Sequence, residues 1–380
     1  MIKVISGVTE EIDDVEDAAA ELREQIRPEV NLRSNSLGIL HCPPDFFSGE
    51  VPQRLHGAFG FPVVGCASPL GSVSGKGFHM GLSLTALTSD EAQFKTAAAG
   101  DITTENYQEA IGKLYTSLVE GRTDKPVMLF CYVPFLMTPG GGRIVEALGK
   151  AAPNIPVFGS VGISLKEKFA ESYALCNDEV LSSGVVLAAV FAEKAPAFYT
   201  TVLKRDKILH LREQVSMAKD KVLISIGGKT YRDYMIANKL PVSGIIPFVF
   251  FCPDGTVLDR TCRDVTPEGY GIFTGEIPVN AEIALCTNIT GESIIETSDE
   301  LLGRIRENHG NIPGCLLYSC VSRMAVLGAD RIRESALVQE HLKGKAFTLA
   351  YSGGEIYPQG LEDGRFVNLL QNTAMTACVF

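Results

Sequence analysis

The chain repeats one hydrophobic pattern three times: a short apolar run, a helix-length stretch, and a second apolar run that ends on small or polar residues. The paired runs are 38–42 with 61–66, 127–131 with 155–160, and 315–320 with 347–355. Two short apolar runs joined by such a crossover are typical of a βαβ unit in a buried parallel sheet. The spacings differ between copies, so the pattern predicts a divergent internal duplication and not a solenoid.

Further elements are predicted around these pairs from periodicity and capping residues. They are helices at 9–26, 104–120, 230–238 and 298–307, and single strands at 77–87, 93–99, 183–191 and 366–380. From Ser243 onward, short apolar runs alternate with turns that contain Pro and Gly, which predicts an antiparallel sheet. The segment 193–221 is more polar and is predicted to be a junction.

These patterns together predict an α/β fold, α+β in part, in which internally duplicated βαβ-type units form mixed sheets. A chain of 380 residues is long enough for two or three domains, each with its own core. We expect an amino-terminal segment at 1–195, a junction at 196–240 and a carboxy-terminal segment at 241–380.

Composition narrows the class of protein. Apolar residues make up 46% and charged residues 21% of the chain, which is typical of a soluble globular protein. No apolar run is long enough to span a membrane and no secretion signal is visible, so we expect a cytoplasmic protein. The net charge of −11 opposes binding to a polyanion, and we expect no nucleic-acid partner.

The ten cysteines form no CxxC pair, and most lie in or at the ends of apolar runs, which favours reduced and buried thiols. The six histidines are scattered and none is spaced for zinc, so no metal or other cofactor is predicted. A cysteine at a strand end could still be an activated nucleophile, and Cys320 close to Arg323 is the best candidate. Because no catalytic partner can be assigned, we expect no enzymatic activity, and the cysteine-dependent enzyme, acting on acyl or other small substrates, stays the alternative.

A glycine-rich segment, Thr138–Arg143, precedes a predicted helix. Such a helix entry can present several backbone N–H groups to an anion. It matches neither the Walker lysine pattern nor GxGxxG, so a flexible loop is the competing interpretation.

Three sequence motifs resemble the FIST domain family. They are Pro-Val-Val-Gly-Cys at 62–66, Tyr-Ser-Cys-Val-Ser-Arg at 318–323, and Gly-Gly-Glu-Ile-Tyr-Pro at 353–358 followed by Gln-Asn-Thr at 371–373. The resemblance covers nearly the whole chain, as an amino-terminal FIST segment to about residue 192 and a carboxy-terminal one from about residue 218. It implies a cytoplasmic sensory protein for small, amino-acid-like ligands that signals through a separate protein, since the chain carries no recognisable output segment.

The resemblance also implies two alternatives. Some members of the family are linked to haem and nitric-oxide sensing, which would make the chain a haem-based gas sensor. The position before the Asn-Thr pair is often histidine in the family and is Gln371 here, so we expect no stable haem complex. Eukaryotic relatives occur in F-box proteins, which leaves open a protein-interaction module without a ligand.

Small and polar residues at the predicted strand ends are the candidate ligand site, because open α/β sheets bind ligands beside the carboxyl ends of their strands. Arg323 could hold a carboxylate through two hydrogen bonds and Glu355 could accept an ammonium group, an arrangement that suits a zwitterion. The alternative is that these two residues pair with each other or cap helices. The full candidate set is Cys66, Ser68, Gly159, Ser160, Ser319, Cys320, Arg323, Gly354, Glu355, Asn372 and Thr373.

Overall fold

The structure, a computed structural model, is built from strands and helices that alternate along the chain. It describes residues 1–11, 13–47, 51–135, 138–165, 171–206, 208–242, 246–287, 289–361 and 364–380. The strands in these ranges are β1 (Lys3–Thr9), β2 (Asn35–Cys42), β3 (Val63–Ala67), β4 (Gly71–Val73), β5 (Gly77–His79), β6 (Leu82–Ser89), β7 (Gln93–Gly100), β8 (Met128–Val133), β9 (Val157–Val161), β10 (Ala174–Cys176), β11 (Glu179–Leu181), β12 (Gly184–Phe191), β13 (Ala197–Thr201), β14 (Ile208–Lys219), β15 (Val222–Ile226), β16 (Lys229–Thr230), β17 (Ile246–Phe251), β18 (Val257–Val265), β19 (Gly271–Phe273), β20 (Glu282–Cys286), β21 (Cys315–Cys320), β22 (Phe347–Ser352), β23 (Glu355–Gly360), β24 (Phe366–Gln371) and β25 (Met375–Val379).

The α-helices connect or cover these strands. They are α1 (Val15–Ile26), α2 (Pro28–Asn31), α3 (Val51–Phe59), α4 (Tyr107–Val119), α5 (Gly141–Ala151), α6 (Tyr231–Ala237), α7 (Gly291–Asn308), α8 (Val321–Leu327) and α9 (Ile332–His341). Among the described helices, none combines the length and the hydropathy that crossing a bilayer requires.

The three paired apolar runs become three parallel strand pairs, each in its own six-stranded sheet. The pairs are β2–β3, β8–β9 and β21–β22, joined by α3, by α5, and by α8 with α9. The strand orders are β1-β6-β2-β3-β10-β11 in sheet 1, β24-β23-β9-β8-β12-β7 in sheet 2 and β13-β25-β21-β22-β4-β5 in sheet 3. The predicted α/β fold with βαβ-type units and mixed sheets is confirmed, whereas descent from a duplicated ancestor stays a prediction.

Each sheet is completed by a hairpin that belongs to another unit. The hairpin β4–β5 follows β3 but pairs with β22, β10–β11 follows β9 but pairs with β3, and β23–β24 follows β22 but pairs with β9. Through these exchanges the strand ends of all three units meet, because Glu355 lies opposite Ser160 and Ala174 lies opposite Cys66.

A separate antiparallel sheet of seven strands lies between β13 and α7 in the chain. Its order is β14-β20-β17-β18-β19-β15-β16, and a further pairing of β14 with β15 closes it into a barrel. Strands β17 to β20 confirm the antiparallel sheet predicted after Ser243, although Ser243 itself lies outside the described residues. The segment 196–240 is not a plain junction: it holds β13 of sheet 3 and strands β14 to β16 of the barrel. Its polar sequence arises because most of β14 faces solvent.

Several elements differ from the sequence prediction. The predicted strand at 77–87 is divided into β5 and β6, and the predicted helix at 298–307 begins earlier, at Gly291. Two further differences have local reasons. Residues 3–9 pair with β6, so the first helix begins only at Val15, where the Asp14 carboxylate accepts hydrogen bonds from the Glu16 and Asp17 backbone N–H groups. The predicted last strand, 366–380, is broken into β24 and β25, which belong to different sheets. Thr373, in the break, has a φ of +58°, a value that a β-branched residue rarely adopts.

The core lies where the inner faces of the three sheets meet. Apolar side chains from all three form one cluster there, which includes Phe130, Phe158 and Tyr318. The Tyr132 and Tyr318 hydroxyl groups are 2.8 Å apart in its centre. The His41 ring packs edge-on against both tyrosines, with ring centroids 6.0 and 5.4 Å away. Neither nitrogen of the buried His41 ring has a hydrogen-bond partner among the described residues.

Candidate functional site

The predicted strand-end residues lie in one connected, buried region. Cys66 Sγ is 3.2 Å from Ser160 Oγ, and Ser160 lies opposite Glu355 in the β9–β23 pairing. Ser68 Oγ lies 2.9 Å from the Leu70 carbonyl oxygen and 2.8 Å from that of Tyr351, and its single hydroxyl proton connects the turn after β3 to β22. The structure thus brings residues of all three units together, while their role in ligand binding stays a prediction.

Two glycines of the predicted site are explained by packing. A Cβ on Gly159 would overlap the carbonyl oxygen of Cys131, the residue beside it on β8. A Cβ on Gly354 would meet Leu370 Cδ1 at 2.9 Å. Gly159 is therefore required whether or not a ligand is bound, because the overlap is with backbone, whereas at Gly354 the close contact is with the end of a leucine side chain.

Arg323 is fully buried, and its guanidinium is held by protein groups. Nε donates to Glu334 Oε1 at 3.0 Å and Nη1 donates to the Thr373 carbonyl oxygen at 3.3 Å. Nη2 donates to three acceptors of α7: the Ile294 carbonyl oxygen, Thr297 Oγ1 and Ser298 Oγ. The arginine pairs with Glu334 and not with Glu355, and a ligand carboxylate would have to displace one of these acceptors.

Glu334 is a buried partner of Arg323 that sequence reasoning missed. Its fully buried carboxylate accepts hydrogen bonds from Ser298 Oγ at 2.8 Å and from Ser319 Oγ at 2.6 Å, in addition to the pair with Arg323. The residue lies on α9, where its polar neighbours gave no sign of burial. This pair with its serines joins α7, β21, α8 and α9 into one polar network inside the third unit.

Glu355 is a buried carboxyl group next to the Cys320 thiol. Oε1 accepts a hydrogen bond from Ser352 Oγ at 2.5 Å, and Oε2 accepts one from the Ala374 backbone N–H at 3.3 Å. Burial raises the pKa of Glu355 to about 8, so it is largely protonated at neutral pH. Burial, together with the negative charge that Glu355 can carry, raises the pKa of Cys320 to about 12. Such a thiol supplies almost no thiolate, the form that nucleophilic catalysis requires.

The raised pKa of Glu355 predicts how the free energy of unfolding depends on pH. Ionisation is opposed only in the folded state, so the carboxyl group destabilises the fold increasingly as pH rises from 4.5 towards 8. Glu355→Gln keeps the shape and cannot ionise. We expect the difference in unfolding free energy, Glu355→Gln minus parent, to increase by about 3 kcal/mol between pH 5 and pH 7.5. Urea unfolding across this pH range measures the difference, and parallel pH profiles for the two proteins would show that Glu355 ionises freely in the fold.

The turn between β24 and β25 connects this network to the barrel. Gln371 Oε1 accepts a hydrogen bond from the Asp259 backbone N–H at 2.8 Å, and its Nε2 donates to the Val257 carbonyl oxygen at 2.7 Å. The amide thus serves as donor and acceptor to β18. Asn372 Nδ2 donates to the Gly353 carbonyl oxygen, whereas its buried Oδ1 has no partner among the described residues.

A cleft of about 970 Å³ lies directly outside this turn, between α5, the barrel and β24. Its charged lining is balanced, with four basic and four acidic residues: Arg143, Lys150, Lys219 and Arg260, and Glu146, Asp220, Asp254 and Glu276. The side chain of Leu370 separates the cleft from the strand-end region, because it lies within contact distance of both Gly141 and Gly354. The cleft therefore opens onto the outer side of the predicted site.

Arg260 is the most buried charge in the cleft, with 2% of its surface exposed. Nε donates to the Glu276 carbonyl oxygen at 3.0 Å, and Nη1 donates to the carbonyl oxygens of Asp259 and Leu370. Within the described part of the chain, Nη2 makes no hydrogen bond. Sequence reasoning missed this residue, although the pair Asp259-Arg260 in the middle of a strand pattern was a usable signal.

The glycine-rich segment forms the entry to α5 at one end of the cleft. The helix begins at Gly141, and the Gly142 backbone N–H donates to Glu276 Oε2 at 3.1 Å. Lys221, which is 3% exposed, lies behind this contact with its Nζ 4.3 Å from the centroid of the Phe135 ring. Burial lowers the pKa of Lys221 to about 8, and the nearby Glu276 carboxylate opposes part of that decrease.

Comparison with models of known protein families identifies the family of this chain. The model of the FIST N domain matches residues 36–229, and the model of the FIST C domain matches residues 229–358. The chain belongs to the FIST family. FIST domains are associated with the binding of small ligands in signal transduction. The FIST regions share the cleft, since Gly142 lies in the first matched region and Arg260 and Glu276 lie in the second.

Two other comparisons add little to the FIST assignment. No curated protein matches the sequence. Among solved structures, the chain is similar to one titled "Cyanuric acid hydrolase: evolutionary innovation by structural concatenation", with 9% identity and a TM-score of 0.37 over 100% of this chain and 98% of that one. A likeness this weak carries no argument about chemistry.

Proposed function

We propose that this FIST protein is a cytoplasmic sensory protein that binds a small, amino-acid-like carboxylate in the cleft and signals through a separate protein. The observation that carries the proposal is the cleft itself, which both matched regions build and whose floor holds the buried Arg260. A concave site lined by apolar surface with a few convergent polar groups is the usual form of a small-ligand site.

The charges of the cleft favour a ligand that carries both signs. Basic and acidic side chains are equal in number, so neither a polycation nor a polyanion is preferred. The guanidinium of Arg260 can donate from Nη2 to a carboxylate, because its other bonds already fix the orientation of the group. The acidic residues at the rim are Asp254 and Glu146, of which Glu146 pairs with Lys150 at 2.6 Å, and either can offer a carboxylate oxygen to an ammonium group.

The strand-end residues act in this proposal as the supporting layer beneath the ligand. Leu370 and Gln371 connect the cleft to Asn372 and Thr373, and the Thr373 carbonyl oxygen is bound by Arg323. A shift of β24 would therefore change the hydrogen bonds of the polar network of α7, α8 and α9. That network lies beneath helices that a partner protein could contact.

Filling the cleft with a side chain tests the proposal. A Cβ on Gly149 would have no atom within 4 Å, and the residue lines the cleft from α5. Gly149→Phe is therefore expected to keep the fold and to weaken ligand binding by on the order of tenfold or more, because the ring occupies the space of the ligand. Thermal shifts across a panel of amino acids and small organic acids, followed by titration calorimetry, measure the effect.

Gly112→Phe is the matched control. Gly112 is also a helical glycine with open space around it, but it lies on α4 and does not line the cleft. Gly112→Phe should bind as the parent does. Equal affinities for all three proteins would exclude the cleft as the ligand site. If no carboxylate shifts the parent at all, the ligand-free interaction module becomes the better interpretation.

A further inference from the structure

Within the cleft, one acidic side chain of the barrel already occupies a carboxylate-binding position. Glu276 lies between β19 and β20, and its Oε2 accepts the hydrogen bond from the Gly142 backbone N–H. The other oxygen, Oε1, is buried and has no hydrogen-bond partner among the described residues. One oxygen of the Glu276 carboxylate is thus hydrogen-bonded and the other is not. A buried carboxylate oxygen without a hydrogen bond is unfavourable in free energy.

The backbone of α5 is shaped around this carboxylate. A Cβ on Gly140 would overlap Glu276 Oε1, and a Cβ on Gly142 would overlap Glu276 Oε2. Two glycines on either side of one carboxyl group form a cradle that any other residue would fill. The cradle therefore fits a carboxylate of the protein or a carboxylate of a ligand equally well.

Two buried cations lie next to Glu276. An added Cβ on Gly140 would lie 2.6 Å from Lys221 Cε, so the lysine side chain borders the cradle directly. Arg260 donates from Nε to the Glu276 backbone carbonyl oxygen and keeps Nη2 without a hydrogen bond among the described residues. Both side chains are more than nine-tenths buried. A backbone N–H group at a helix N-terminus, together with two buried cations, is a donor set that suits an anion.

We propose that Glu276 holds the place of the ligand carboxylate, and that binding exchanges one carboxylate for the other in the cradle of Gly140, Gly142, Lys221 and Arg260. This proposal rests on the proposed function, in which the ligand carries a carboxylate, and it gives that carboxylate a position in the cleft. It also supplies a signal: Glu276 fastens the barrel to α5, and its release would free this contact whenever the ligand is bound.

Chemical rescue tests the exchange with acetate as the probe. Glu276→Ala leaves the cradle without its carboxylate, and acetate should raise the melting temperature of this variant well above its effect on the parent. Glu282→Ala is the matched control, because Glu282 is an exposed acidic residue on β20 of the same barrel and does not line the cleft. Chloride at equal ionic strength accounts for screening. Equal acetate shifts in the parent, Glu282→Ala and Glu276→Ala, or no shift in Glu276→Ala, would overturn the exchange.

Glu276→Gln keeps the size of the side chain and provides a second test if the alanine variant does not fold. It removes the competing charge, so any carboxylate that binds the parent should bind Glu276→Gln at least tenfold more tightly. An unchanged or weaker affinity overturns the exchange while the proposed function stands. If instead Gly149→Phe leaves binding unaffected, the cleft proposal fails, and the acetate experiment still decides whether the cradle accepts a carboxylate.

Discussion

Replacing Arg323 with methionine is expected to lower the free energy of unfolding by about 3–5 kcal/mol. The substitution fills similar space but leaves the Glu334 carboxylate in a fully buried site without its counter-charge. It also removes the donor to the Thr373 carbonyl oxygen and the donors to three acceptors of α7. Urea unfolding at neutral pH, followed by circular dichroism, measures the loss.

Two comparison variants separate this effect from a general loss of charge. Arg333→Met removes a partly exposed arginine, also in the third unit, that pairs directly with the exposed Glu292 at 2.7 Å, and should change stability little. Adding Glu334→Gln to Arg323→Met removes the uncompensated charge and should recover a large part of the loss. If Arg323→Met instead keeps its stability and loses binding of a carboxylate, Arg323 is the ligand residue that the sequence alone predicted.

Acidification below neutral pH is expected to destabilise the protein through His41. Burial lowers the pKa of His41 from 6.5 to about 3, since the ring lies in the core without a partner for its charge. The unfolded chain takes up a proton near pH 6.5 and the folded protein only near pH 3. The contribution of the neutral ring is therefore complete above pH 6.5 and is lost as pH falls, by about 4–5 kcal/mol at pH 3.

His41→Phe should remove that part of the acid sensitivity. Because carboxylates also titrate in this range, the informative quantity is the difference between variant and parent at each pH between 7.5 and 4. That difference should change steadily in favour of His41→Phe. His210→Phe, at an exposed position of the barrel, serves as the control and should follow the parent. A constant difference for His41→Phe across the range would show that the buried ring titrates normally.

The parallel pairs were predictable from sequence because apolar runs of five or six residues with helix-length spacing leave few other folds. The exchange of hairpins was not, since β4–β5 and β10–β11 are three-residue strands whose partners lie far along the chain. The long strand β14 was missed because most of its side chains are exposed and hide the alternation that marks a half-buried strand.

The candidate site was predictable only in part. Strand-end residues such as Cys66, Ser160 and Glu355 lie together, because carboxyl ends of parallel strands share a sheet edge and the three units meet there, while their role in a ligand site stays a prediction. The partners that decide their chemistry come from other elements: Glu334 from α9 and Glu276 from the barrel. No spacing rule connects residues that are brought together by tertiary packing alone.

The exchange of hairpins also affects how the chain can fold while it is being made. Sheet 2 contains strands from β7 at residue 93 to β24 at residue 371, so its last two strands are synthesised long after β8 and β9. Until residue 356 has left the ribosome, β9 lacks its second neighbour, β23, and one of its edges stays unpaired. Such long-range closure slows folding and prolongs the exposure of that edge. A nascent chain of this protein should therefore depend on a chaperone that shields the second unit until the third has been translated.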